Sequence, residues 1–229
     1  MDVLLIAGLW LDASVWSTTA DELARLGVRP VPVRLPGQGD GSSTATLADQ
    51  VAAVVAAVDS AKPGCVVVGH SAAATLAWVA ADARPERVAR VVLVGGFPGM
   101  DGSTYADFFP PVDGVMPFPG WEPFAGADSA DLDDDRRAAL EGGAIPVPQA
   151  VSQGIVRLAD ERRYAVPITM VCPEFSPDEA RAWVRAGELP ELARAADVEY
   201  VDTDSGHWPM VTRPQDLARL IADAAAPRG

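Results

Sequence analysis

The chain has 229 residues, 49 % hydrophobic and 22 % charged, with a formal net charge of −14 and Lys62 as its one lysine. Such a chain can bury a core without disulfides or structural metal, and it fits one domain on the usual scale of about 100–200 residues. The missing basic patch argues against nucleic acid and against an anionic membrane surface as partners.

No apolar run reaches 18 residues, so no transmembrane helix is expected. The start, Met1 to Ile6, lacks the positive region and cleavage site of a secretory signal. The two cysteines, Cys65 and Cys172, lie in strand-like runs and read as reduced, buried thiols of a cytoplasmic protein. With only His70 and His207 beside them, and neither C-x-x-C nor H-x3-H spacing, a zinc finger or ribbon is excluded.

Six short apolar runs predict strands at 3–7, 31–35, 65–68, 88–94, 168–171 and 198–201. Pro32 puts the second near a sheet edge. Helical patterns fall between them, at 14–26, 46–58, 72–83, 179–186, 190–195 and 215–225. Gly27 stops the first, Thr46 with Asp49 opens the second as a capping box, and Pro214 opens the last. Strands apolar on both faces, alternating with helices, predict an α/β fold with a doubly wound, six-stranded, mostly parallel sheet.

Between the fourth and fifth strands an insertion runs over about 97–164. Residues 105–124 carry six of the fifteen aromatics and five prolines, a composition unlike a disordered linker. The segment reads as an ordered lid, continued by a helix at 133–140 and another around 149–160. The whole, 1–229, is then a single domain with an inserted lid. The acidic group at Asp128, Asp131 and Asp133–Asp135 lacks the spacing of a calcium loop and reads as solvated charge before a helix.

Gly69-His70-Ser71-Ala72-Ala73 follows the third strand and opens a helix. A serine on so sharp a turn needs small residues two before and two after it, and Gly69 and Ala73 qualify. A serine capping a helix is common, so the pentapeptide alone is ambiguous. His207, in Ser205-Gly206-His207-Trp208-Pro209-Met210 after the last strand, adds the base that a serine nucleophile requires. His70 neighbours the serine but points away from it.

Two further motifs accompany these: Ala7-Gly8 with Trp16 after the first strand, and Leu35-Pro36-Gly37-Gln38-Gly39 after the second. With these four motifs in order, nearly the whole chain resembles the α/β-hydrolase superfamily. Within it the chain looks most like plant-type methyl esterases and hydroxynitrile lyases and related bacterial esterases. The resemblance implies a serine hydrolase of a small or medium apolar ester, lactone or thioester. Ser71 would be the nucleophile and His207 the base. The backbone N–H groups of Leu9 and Ala72 would form the oxyanion hole, and no cofactor is implied.

The acid is expected in the loop after the fifth strand. Phe175 stands where the group carries Asp, and Glu174 is the nearest carboxylate and the first choice. Asp178, Asp101 and a dyad without an acid are the alternatives. A C–C lyase would carry Thr and Lys where this chain has Gly8 and Trp208. A non-catalytic binding protein on the same scaffold is the reading from another class, motivated by the displaced acid and by Ala7.

Overall fold

The computed structural model describes residues 1–226. Its strands are β1 (Asp2–Ile6), β2 (Arg29–Pro32), β3 (Cys65–His70), β4 (Val88–Val94), β5 (Val115–Met116), β6 (Val147–Pro148), β7 (Ile168–Cys172) and β8 (Val198–Asp202). Six of them form one sheet in the order β2-β1-β3-β4-β7-β8, every pair parallel. The short β5 and β6 pair antiparallel within the lid.

The helices are α1 (Ser17–Arg25), α2 (Leu47–Ser60), α3 (Ala73–Ala83), α4 (Asp134–Gly142), α5 (Gln149–Ser152), α6 (Pro177–Ala186), α7 (Pro190–Arg194), α8 (Pro209–Thr212) and α9 (Pro214–Ala225). Alternate residues of each strand feed opposite faces. Leu4, Ile6 and Val67 pack with Val54 and Val58 of α2 and Leu76 of α3. Val3, Leu5 and Val66 pack on the other face with Leu23 of α1 and Leu217 and Ile221 of α9. No helix among the described residues is long and apolar enough to cross a membrane.

The register gathers the strand ends. Ile6 pairs with Gly69, His70 with Val94, Val94 with Val171, and Cys172 with Asp202. The loops that follow β1, β3, β4, β7 and β8 therefore emerge side by side at one edge. The chain reverses direction across the sheet between β1 and β3, which opens a crevice there.

Three expectations shift. The second strand is Arg29–Pro32 rather than 31–35, although it does form the edge, where Pro30 and Pro32 cost no ladder bond. The first helix begins as a 3-10 turn, Ala13–Trp16, capped by Asp12. The helix expected around 149–160 is only α5, one turn long. Segment 102–106 takes its place by claiming the backbone groups: Tyr105 N–H donates to Gly154 O (2.8 Å) and Ala106 N–H to Ser152 O (2.9 Å). Gly102 N–H donates to Val156 O and Val156 N–H to Ser103 O, each at 2.9 Å. Gly154 itself lies flat on Leu47, where a side chain would overlap.

The lid returns to the core through a buried ionic network. Asp82 of α3 accepts from Ala159 N–H (2.9 Å) and Asp160 N–H (2.8 Å). Arg163 joins Asp82 and Glu191, each at 3.1 Å, and Trp78 Nε1 donates to Glu191 (2.8 Å). Every charge in it has a partner, which is what such burial demands.

Away from this network, another buried carboxylate gives the fold an acid-sensitive contact. Asp2, 2 % exposed, accepts from Arg29 Nε (2.8 Å), Arg29 Nη2 (2.6 Å) and Lys62 N–H (2.9 Å). These donors, the Arg29 guanidinium first, hold its carboxyl well below the usual range. Below about pH 4 the unfolded chain takes up a proton that the folded chain refuses, so this stabilisation is present at neutral pH and is lost as pH falls. Asp2→Asn should be less stable than wild type at pH 7, with the gap narrowing below pH 4. Urea unfolding at pH 7, 4 and 3 checks this; a gap independent of pH would sink it.

Candidate active site

Only Ser71 and Ala72 separate β3 from α3. To make so abrupt a turn Ser71 adopts φ +55°, a left-handed conformation that costs a non-glycine residue energy. Its N–H donates to Val94 O (2.8 Å), and its carbonyl accepts from Ala74 N–H (2.9 Å). Three glycines make room. A Cβ on Gly69 would overlap the Ala73 carbonyl, and one on Gly96 would overlap the Ser71 carbonyl. One on Gly8 would lie 2.8 Å from His70 Nδ1 and 3.1 Å from Ser71 Cβ. The size rule read from Gly69 and Ala73 thus has a third and fourth term, Gly8 and Gly96, supplied by neighbouring strands.

His207 is fixed through its own peptide groups. Its N–H donates to the lid carbonyl of Asp128 (2.7 Å), and its carbonyl accepts from His70 Nε2 (2.8 Å). Gly206 permits the first bond, since a Cβ there would overlap Asp128 O. The imidazole lies 4.9 Å from that of His70, centroid to centroid. Its Nδ1 faces Glu174 Oε1 at 2.8 Å, the two side chains being 13 % and 14 % exposed. An ionised carboxylate only accepts, so Nδ1 carries the proton and Nε2 keeps its lone pair. Among the described residues Ser71 Oγ makes no hydrogen bond to His207, a contact such sites often make only with substrate in place.

Of the three carboxylates considered, the structure brings only Glu174 to His207. Asp178 is 93 % exposed and pairs with Arg181 in the first turn of α6. Asp101 accepts from Leu158 N–H (3.0 Å) and belongs to the lid's packing. The end of β4 has no room for an acid. A Cβ on Gly95 would stand 3.2 Å from both Glu174 Oε2 and His207 Nδ1. Phe175 leaves the site and packs on Phe97 (5.3 Å) and Trp183 (5.2 Å).

Leu9 follows β1 and Ala72 follows β3, so both sit where the β1–β3 crevice opens, and both are buried. Neither backbone N–H donates to an acceptor among the described residues, and at Ala72 this is the ordinary state of an amide at a helix start. The turn at Leu9 continues through Trp10 at φ +61°. Over it closes the aromatic lid. Phe109, Phe118 and Phe124 lie 5.9, 5.5 and 6.0 Å from Trp10, while Trp121 and Phe124 each lie 5.4 Å from Trp208, next to His207. A cavity of about 10 Å³ is left where Leu9, Trp10, Phe118, Trp121 and Trp208 meet. The sequence pointed to the lid aromatics at 105–124 but not to Phe97, which opens the insertion, or to Trp183, which lies far from them in the chain.

Both cysteines are free and buried, and burial pushes their thiols up to about 11 at Cys65 and about 12 at Cys172. They are unsuited to nucleophilic work. Among the described residues no three His, Cys, Asp or Glu side chains converge as metal ligands.

Two outcomes follow from this packing. Gly69→Ala should cost roughly 3 kcal/mol of stability in denaturant unfolding, and Ala73→Gly about 1 kcal/mol. Burial, with the nearby His207 adding to it, lowers His70 to about 3. Its ring should therefore remain neutral and Nε2-protonated from pH 5 to 9 in nitrogen-15 spectra; a titration near pH 6.5 would refute the assignment.

Residues 3–220 match the sequence profile of the alpha/beta hydrolase family. Lipase LipV of Mycobacterium tuberculosis is 26 % identical over 99 % of this chain and 94 % of its own length. An extracellular alpha/beta-hydrolase from a Paenibacillus species superposes with a TM-score of 0.77 at 19 % identity, covering 98 % of each chain. The methylesterase MES16 from Arabidopsis superposes with a TM-score of 0.75 at 15 % identity, again over 98 % of each chain. With its parallel sheet, its β3–α3 turn and a profile match over most of its length, the chain belongs to the alpha/beta hydrolase family.

Proposed function

We propose that this hydrolase is a serine esterase of small or medium apolar carboxylic esters, lactones or thioesters. The observation that carries the reading is the 2.8 Å contact of His207 Nδ1 with Glu174 beside a serine held at φ +55°. Ser71 Oγ attacks the carbonyl carbon as its proton passes to His207 Nε2. Glu174 stabilises the imidazolium and keeps the ring oriented. The unpaired N–H groups of Leu9 and Ala72 bind the oxyanion, with the positive end of α3 behind Ala72. The tetrahedral adduct collapses, and His207 returns the proton to the leaving alkoxide or thiolate. Water, deprotonated by the same nitrogen, then releases the acid and frees Ser71.

An apolar substrate suits the surroundings, since Trp10, Trp208 and the lid aromatics gather beside Leu9 and His207. The relatives named as lipase and methylesterase act in keeping with this class. Of the two motives for a non-catalytic scaffold, the displaced acid loses force once Glu174 meets His207, and Ala7 alone is left. The lyase reading has Gly8 and Trp208 where it needs Thr and Lys. A small-molecule ester is the one partner this reading requires. A cytoplasmic location fits two free thiols.

A fluorophosphonate probe tests the nucleophile: wild type should be labelled and Ser71→Ala should not. Absence of labelling in wild type would overturn the reading. Among the acids, Glu174→Ala should lower kcat on p-nitrophenyl esters by about 10²–10⁴-fold. Asp178→Ala and Asp101→Ala should leave it within about threefold, because neither touches the site. Equal losses at all three positions would reject Glu174 as the acid.

A further inference from the structure

The loop Leu35–Asp40 is more constrained than a connection needs to be, and its constraints converge on one side chain. Gly37 and Gly39 both take left-handed φ, +79° and +86°. Gly37 lies against Pro148 and Ala45, where a Cβ would stand 2.9 and 3.0 Å away. Asp40 Oδ1 accepts from Gly37 N–H (2.9 Å), Gln38 N–H donates to Leu35 O (3.1 Å), and Gln50 Nε2 donates to Pro36 O (2.9 Å). The residue at the apex, Gln38, is 7 % exposed, and its Nε2 donates to the carbonyl of Gly8 at 3.2 Å.

That carbonyl shares a planar, trans peptide with the N–H of Leu9. The two groups point in opposite directions, so a donor that fixes the carbonyl also fixes the amide. Gly8 has no side chain to restrict this peptide, and its neighbour Trp10 is held in a strained conformation. Gln38 is the one side-chain donor on this carbonyl among the described residues. Trp10 supplies part of the anchoring from the other end, donating from Nε1 to Met116 O (3.2 Å) and accepting from Ile145 N–H (2.9 Å).

We propose that Gln38 is a positioning residue for the oxyanion-binding amide of Leu9. It touches neither substrate nor Ser71; it holds the Gly8–Leu9 peptide in the orientation that stabilises the tetrahedral intermediate. The inference rests on the esterase reading above. It gives the Leu-Pro-Gly-Gln-Gly motif a task in the reaction, where sequence alone placed it only as a mark of resemblance.

Gln38→Met and Gln38→Glu keep the shape and remove the donor, and Gln38→His restores an N–H. The readouts are kcat and KM on a p-nitrophenyl ester and the inhibition constant of a phenylboronic acid, whose adduct with Ser71 carries a negative oxygen. The first two variants should lose between about ten- and a hundredfold in kcat, less than deleting a donor outright, with KM within twofold. Boronic acid affinity should fall by a similar factor, and Gln38→His should recover most of both. An active wild type whose Met and Glu variants keep kcat, or change only KM, overturns the role of Gln38 and leaves the esterase reading standing. A wild type that neither hydrolyses esters nor takes the fluorophosphonate label overturns both.

Discussion

The left-handed backbone of Ser71 is the constraint around which the site is assembled. Such a conformation persists only where the surroundings over-determine it. Here the determinants come from three strands: Gly8 after β1, Gly69 within β3, and Gly96 after β4. The parallel register puts these strand ends level, so each glycine removes a Cβ at the point where the turn would meet it. A one-residue slip of β1 or β4 would bring a side chain into that space and turn the inward residues outward.

His207 is held by its main chain as much as by its ring. The elbow grips its carbonyl through His70, and the lid grips its N–H through Asp128. Glu174 then completes the orientation from β7. The buried imidazole of His70 can serve because its low pKa keeps it neutral, with one donor and no charge. Two histidines alike in the sequence thus differ in kind: one is a fixed donor inside the protein, the other is paired with a carboxylate and is the proton carrier of the proposed reaction.

Much of this was legible before the structure. Strands apolar on both faces and helices with clear caps read directly, because their signals are local; the capping box at Thr46 and Asp49 is present. Ser71 and His207 stood out because turn sterics and the scarcity of histidine narrow the field. Glu174 was one carboxylate among three, since contact with His207 depends on how β7 and β8 pair. The false helix near 149–160 had acceptable periodicity, but its backbone groups were taken by residues some fifty positions earlier. Gly96 and Gln38 escaped notice as site residues for the same reason: their partners lie on other strands.

The oxyanion donors proposed here belong to the main chain, and this has a consequence for how the protein tolerates change. Substituting Leu9 by another apolar residue, or Ala72 by another small one, leaves the amide in place. A scan that replaces side chains one at a time would therefore pass over both of the groups proposed to meet the substrate's oxygen. It would register the damage at glycines and at Gln38, residues that never approach it. Selection acting on side chains would leave its record in the same displaced positions.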